Sequence, residues 1–261
     1  DLSTGLSIKD IKQDHISLDY TLTRSKQSQV HYEANTLICT LENTQGEQLQ
    51  VEWRVSNNDV AMRYLLPKQG ETGSVRVTSE ATSYTFPDGT TTFLTPQSDA
   101  MIGWKRTKPS YEEPYCWDAP MSQASDYGHG YTWPALFHVN GTPDNSLWVM
   151  LSETGVDSHY CASHLSDVRM GNTYTVAYPM AEENNGIGTT DAAIQLPGAT
   201  PWRTITIGAG LAPLAETTIQ WDLVKPQYEA KYDYKYGRSA WSWIIRMDAS
   251  CNYDEQKEYV D

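Results

Sequence analysis

Residues Leu49 to Pro67 read LQVEWRVSNNDVAMRYLLP, and they decide the fold class. Leu49, Val51, Trp53 and Val55 alternate with polar residues, Asn57-Asn58-Asp59 supplies turn chemistry, and Val60, Met62, Tyr64 and Leu66 alternate on the return. A period of two on both sides of such a turn predicts a β-hairpin. Arg54 and Arg63 fall nearly opposite each other on it, so two cations there require carboxylate neighbours or open water.

The same texture extends in both directions. Ile16, Leu18, Tyr20 and Leu22 alternate, Thr36 to Leu41 is a short apolar strand, and Ser83 to Phe86 runs into the turn Pro87-Asp88-Gly89. Further on come Trp133 to Phe137, Ser146 to Leu151, Thr173 to Tyr178 and Thr204 to Gly208. Ile219, Trp221 and Leu223 alternate in Thr217 to Leu223, which predicts a last strand. Two stretches, residues 97–133 and 180–200, hold no sustained period and read as long loops; Tyr111, Tyr115 and Trp117 stand beside Glu112, Glu113 and Asp118 in the first. Past Lys225-Pro226 the character changes. A Tyr- and Lys-rich linker precedes a compact strand, Ala240 to Ile245, and a helix start at Tyr253 to Val260. A strand followed by the opening of a helix is half of a βα unit, which needs a parallel α/β domain to pack on. We therefore expect an excised or processed chain with an artificial end at Asp261.

Composition narrows the function classes. The 261 residues include 19 Lys and Arg against 33 Asp and Glu, a net charge of −14, with no basic patch. That argues against nucleic acid and anionic membranes as partners. No apolar run approaches the roughly 18 residues that a spanning helix needs, so membrane insertion is not expected. Cys39, Cys116, Cys161 and Cys251 have neither zinc nor redox spacing. Neither a dinucleotide fingerprint, a G-x-S-x-G elbow nor an H-E-x-x-H helix occurs. The adjacent acid pairs Glu112-Glu113, Glu182-Glu183 and Asp254-Glu255 are not catalytic dyads, because neighbours in a strand point to opposite faces.

One carboxylate stands out. In SLWVMLSETGVDSHYCASHL, Ser146 to Leu165, Glu153 closes an apolar strand immediately before Thr154-Gly155. Burying it inside that strand would be costly. At the strand end it either lies in solvent or points into a groove, where it can hold a cation or a sugar hydroxyl.

Taken together, RVSNNDVAMRY (Arg54 to Tyr64), PSYEEPYCWDAP (Pro109 to Pro120), WVMLSETGVDSHYCASHL (Trp148 to Leu165), TPWRTITIG (Thr200 to Gly208) and GRSAWSW with YDEQKEYVD (Gly237 to Asp261) resemble, in order and spacing, the amino-terminal part of glycoside hydrolase family 97. These are α-glucosidases and α-galactosidases, mostly of Bacteroidetes. The resemblance implies an all-β domain over residues 1–225, a large β-sandwich of the galactose-mutarotase type. A linker over 226–239 and the first strand and helix start of a (β/α)8 barrel over 240–261 follow. It implies that the catalytic carboxylates lie on later barrel strands, that Glu153 donates to an active-site calcium ion, and that Trp241 and Trp243 line the sugar subsite. Trp202 and Arg203 are expected to be structural, at the domain interface. The implied partners are an α-linked oligosaccharide and the barrel of the same chain, the compartment periplasmic or outer-membrane-associated. The chain departs from the family in starting after the first strands of the sandwich, which predicts an open sheet edge. Residues 1–261 alone are expected to be inactive. A free-standing carbohydrate-binding module, with residues 97–133 as its platform, is the competing expectation, and a purely structural interaction domain the third.

Overall fold

The computed structural model describes residues 2, 4–23, 25–68, 70–98, 115–140, 146–182, 186–227, 231–232, 235, 237–239, 253–254 and 257. The chain divides into two compact units, Asp1–Lys225 and Pro226–Asp261.

The first unit is built on a ten-stranded antiparallel sheet. Its strands are β1 (Ser7–Thr21), β2 (Gln29–Glu42), β3 (Gln48–Val55), β4 (Asp59–Leu66), β7 (Thr91–Leu94), β8 (Cys116–Pro120), β9 (Ala135–Val139), β10 (Leu147–Thr154), β14 (Gly198–Ala199) and β15 (Trp202–Gly208). They run in the order β1-β2-β3-β4-β15-β10-β9-β7-β8, with the short β14 paired to β4. The hairpin read from the sequence is β3–β4, closed where Val55 pairs with Val60. β1 is longer than the alternation from Ile16 suggested and lies at the sheet edge, mostly exposed, as an edge strand rich in charge can be.

Smaller strands, β6 (Ser83–Thr85), β11 (His164–Leu165) and β12 (Thr173–Ala177), form a three-stranded sheet, and β5 (Ser74–Val77) pairs with β13 (Ala192–Gln195). The main core joins residues of the three-stranded sheet to one face of the large one. Tyr84, Leu165, Tyr174 and Val176 meet Leu94, Phe137, Val149 and Leu151, all buried. Phe86 stacks on Phe137 with ring centroids 4.1 Å apart. Each such side chain contributes about 1.5–3 kcal/mol by leaving water, so this contact is what joins the layers.

The opposite face is covered by two short helices, α1 (Leu211–Glu216) and α2 (Ile219–Leu223). This corrects the strand expected at Thr217 to Leu223. Ile219 and Leu223 are one helical turn apart and pack on Ala61 and Trp202, whereas Trp221 between them is 38% exposed. Three apolar residues at spacing two satisfy either period over so short a run. The helix also brings Asp222 to the hydroxyl of Tyr20, which donates to it at 2.6 Å.

Residues 97–133 and 180–200 are less irregular than expected, since β8 lies in the first and β13 and β14 in the second. In the second unit Tyr253, Asp254 and Lys257 are helical. Trp241 and Trp243, with Ala240 to Ile245, lie outside the described residues, as do Tyr111, Glu112, Glu113, Glu183 and Cys251. Among the described residues no helix is long and apolar enough to cross a membrane.

Candidate functional site

Glu153 is the starting point. It is the penultimate residue of β10 and still inside the ladder, directly across from Arg203 of β15. Arg203 in turn pairs with Met62 of β4, so Met62, Arg203 and Glu153 share one face of the sheet, while Trp202 and Thr204 turn to the other. Glu153 is not the solvated carboxylate that was one of the two expectations: it is 12% exposed and ion-paired with Arg203, whose side chain is wholly buried.

A second carboxylate completes the arrangement. Glu80, in the segment after β5, is 3% exposed and grips the other edge of the same guanidinium. Arg203 Nε donates to Glu80 Oε1 at 2.9 Å and Nη2 donates to Oε2 at 2.6 Å. This two-bond fork is the strong geometry for arginine with a carboxylate. Nη1 donates to Glu153 Oε2, and to Ser163 Oγ at 2.9 Å. Ser163 Oγ itself donates to Glu153 Oε2 at 2.6 Å and accepts from Trp133 Nε1 at 3.2 Å.

The remaining lone pairs of Glu80 are filled as well. Thr82 Oγ1 donates to Oε1 at 2.7 Å and the Tyr160 hydroxyl donates to Oε2 at 3.1 Å. The Tyr160 and Tyr178 hydroxyls are 2.6 Å apart. Burial pushes both phenols up, Tyr178 to about 12, and the Glu80 charge adds to the effect on each, so both remain protonated. For Arg203, burial alone would lower the pKa, but the hydrogen bonds and charge of Glu80, with the charge of Glu153, hold it above its ordinary value. Two carboxylates on one guanidinium leave a surplus negative charge in a nearly dry place, an expensive state unless a further positive charge meets it.

On the other face Trp202 is buried against two cations. The guanidinium carbons of Arg54 and Arg63 lie 4.9 and 4.3 Å from its ring centroid. Both arginines reach Glu52, Arg54 Nη2 at 3.2 Å and Arg63 Nη2 at 2.7 Å. Glu52 is therefore the carboxylate that the hairpin cations required, and it is buried rather than solvent-facing. Trp202 and Arg203 are both buried within the first unit.

Glu153 suits calcium only in part. Its Oε2 is occupied, and Oε1 makes no hydrogen bond among the described residues. A hard oxygen next to surplus negative charge is the right chemistry for a divalent cation, but such an ion needs about six to eight oxygens. Among the described residues no group of three or more His, Cys, Asp or Glu could hold a metal. Glu153 can thus be at most one ligand of a larger set. Cys39, Cys116 and Cys161 are free thiols, and burial pushes the Cys161 thiol up to about 11.

The sequence singled out Glu153 and Arg203 but missed Glu80, Ser163 and Tyr160. A signal for a partner was present. An arginine inside the apolar run Trp202 to Gly208 cannot be buried alone. Which acid answers it is a matter of tertiary contact, since Glu80 is 123 positions away.

The antiparallel sheets, packed in layers around a buried carboxylate–guanidinium network, define an all-β sandwich domain. Residues 1–226 match the family described as Glycosyl-hydrolase 97 N-terminal, and the chain belongs to that family. It is 60% identical to a protein whose crystal structure is described as that of a beta-arabinopyranosidase, with a TM-score of 0.91 over 98% of this chain and 40% of that one. A family 97 enzyme from Pseudoalteromonas sp. strain K8, solved in complex with panose, shares the fold at 19% identity and a TM-score of 0.69, covering 86% of this chain and 31% of that one. A probable retaining alpha-galactosidase of Streptomyces bingchenggensis (strain BCW-1) is 26% identical over the whole chain, which spans 36% of that relative. The chain thus spans well under half the length of these relatives.

Proposed function

We propose that this chain is the amino-terminal sandwich of a glycoside hydrolase that cleaves glycosides of galacto-configured pyranoses, with its catalytic carboxylates on the larger remainder of the enzyme. The observation that carries the reading is the 60% identity, over 98% of the chain, to the beta-arabinopyranosidase. Arabinopyranose is galactopyranose without its exocyclic hydroxymethyl group. In the L series a β-arabinopyranoside has the same ring arrangement as an α-D-galactoside, so the arabinopyranosidase and galactosidase likenesses point to one substrate shape. An α-glucoside, epimeric at C4, is then the poorer substrate.

In this reading Glu153 supplies one oxygen to a calcium ion of the complete active site, and Trp241 and Trp243 line the sugar subsite. Calcium would stabilise developing negative charge near the reacting centre. The free-standing binding module is not favoured, because relatives matching along the whole chain continue far beyond it.

The test is hydrolysis of aryl β-L-arabinopyranoside, α-D-galactoside and α-D-glucoside by the full-length protein and by residues 1–261. We expect turnover of the first two by the full-length protein, at least tenfold slower turnover of the third, and none by residues 1–261. Turnover by residues 1–261, or no turnover by the full-length protein, would contradict the reading.

A further inference from the structure

One edge of the large sheet is left open. β1 ends the strand order, and among the described residues its outer side meets no further strand. Every residue from Ser7 to His15 is exposed, so neither face of this half of the strand is covered. Ile8 and Ile11 stand in water there, with Leu18 further on. A long exposed edge carrying apolar side chains is a template for pairing with another strand. Lysines and a bulge, here Lys9, Lys12 and the irregularity between Ile8 and Asp10, ordinarily guard such an edge against chance partners.

The charges that repel a chance partner match one another in a single register. When two identical strands pair antiparallel, the two-fold axis passes through one residue position, which faces itself. At Asp10 or Asp14 that sets two carboxylates opposite each other, and at Lys12 two ammonium groups, all destabilising. At Ile11 the pairing runs into the bulged Lys9, and at His15 it leaves Lys12 opposite Leu18 and Asp14 opposite Ile16. At Gln13, Lys12 falls opposite Asp14 of the second copy, twice by symmetry, and Ile11 falls opposite His15. Among the described residues Lys12 makes no ion pair, and Asp14 accepts only from the backbone N–H of its neighbour His15, at 2.8 Å. Both charges are therefore free to meet a partner.

We propose that β1 is a self-recognition edge, by which two copies of the protein pair antiparallel about Gln13 and continue one sheet into the next. Backbone hydrogen bonds supply the attraction, and the crossed Lys12–Asp14 pairs select the register and the partner. That partner is a second copy of this chain, since an unrelated strand would not carry the matching charges. The inference is independent of the sugar and calcium readings above.

The experiment is sedimentation velocity of the full-length protein as wild type, Lys12→Asp, Asp14→Lys and the double variant carrying both changes. Both side chains are exposed, so melting temperatures should stay at the wild-type value. Wild type should dimerise below about 100 μM, as a small interface of the transient class does. Each single variant sets like charges opposite each other twice and should raise the dimer Kd by roughly tenfold or more. The double variant restores opposite charges across the axis and should return Kd to within about threefold of wild type. Asp14→Lys is the sharper of the two single changes. It reduces the net charge of −14, which by itself favours association, so its loss of dimer is specific to the pairing. A wild type that stays monomeric up to about 100 μM, a dimer indifferent to the single changes, or single changes not rescued by the double variant would overturn the proposal.

Discussion

Glu153 and Arg203 are direct cross-strand partners on β10 and β15, joined by an ion pair that is almost completely shut off from solvent. The arginine is shared with Glu80, so three charges from distant parts of the sequence form one unit on the inner face of the sheet. The energetic consequence is lopsided. Removing either acid leaves the arginine one partner, but removing the arginine leaves two buried carboxylates facing each other.

Arg203→Ala should accordingly be among the most damaging substitutions in the domain. Breaking a buried pair by deleting one partner costs about 3–5 kcal/mol, and here two acids are orphaned. Urea denaturation would show it as a lower midpoint at unchanged slope. Adding Glu80→Gln to Arg203→Ala should recover part of the loss, since the residual repulsion falls.

Trp202 is the corresponding centre of the other face. Truncation to Ala should cost about 3–5 kcal/mol. Trp202→Phe should cost less, because a ring remains beneath Arg54 and Arg63, and cation–π attraction contributes about 0.5–2 kcal/mol. If Trp202→Leu and Trp202→Phe unfold at the same temperature, the two arginines draw nothing from the ring.

Asp222 supplies a pH signature. Burial raises its carboxyl above the ordinary 3.8, against the lowering effect of the hydrogen bonds from Tyr20 and Thr218. With the folded pKa raised, the protonated form is favoured by folding. Its stabilising contribution is fully present below about 3.8 and is lost as pH rises through the raised value. Asp222→Asn keeps an acceptor for Tyr20 without the charge. It should raise Tm at pH 7 by roughly 2–4 °C, corresponding to about 1 kcal/mol in a domain of this size, and the gain should shrink towards zero by about pH 3. A gain of the same size at both pH values would show that the charge is not its origin.

Gly130 and Gly128 make a matched pair. Both have positive φ, +93° and +71°, but a Cβ at Gly130 would fall 2.0 Å from the Leu165 carbonyl oxygen whereas none at Gly128 meets anything within 4 Å. Gly128→Ala should cost about 1–2 kcal/mol for the left-handed backbone. Gly130→Ala must also push apart the Tyr131–Leu165 bridge, adding a further 1–3 kcal/mol or so. Comparison of the two melting temperatures separates backbone strain from the clash.

Local pattern made much of this domain legible. The β3–β4 hairpin, the alternating face of β10 and the buried Tyr174 and Val176 of β12 follow from a period of two against turn residues. The same rule misread α2, because Ile219, Trp221 and Leu223 also fit a helical turn, and only the packing of Ile219 on Trp202 separates the two readings. Charged residues were the hardest to place. Glu52 looked like the polar face of a half-buried strand, yet both faces of β3 are covered and it is buried between two arginines. Glu153 was found by its position, but its partner Glu80 sits in a segment without period, brought near only when the layers close. Of the aromatic rim expected from the sequence, Tyr115 and Trp117 are exposed at β8, whereas Tyr111, Glu112 and Glu113, like the barrel strand expected at 240–245, lie outside the described residues.

The most direct test of the account is the calcium dependence of hydrolysis in the full-length protein and its Glu153→Gln variant, on an aryl β-L-arabinopyranoside. The wild type should lose at least tenfold in kcat/KM on chelation and regain it when calcium is restored. Glu153→Gln, which keeps the side chain's shape but loses its charge, should need at least tenfold more calcium to reach its maximum. A wild type indifferent to chelation, or a Glu153→Gln variant with an unchanged calcium requirement, would contradict the claim that this sandwich contributes Glu153 to the catalytic centre.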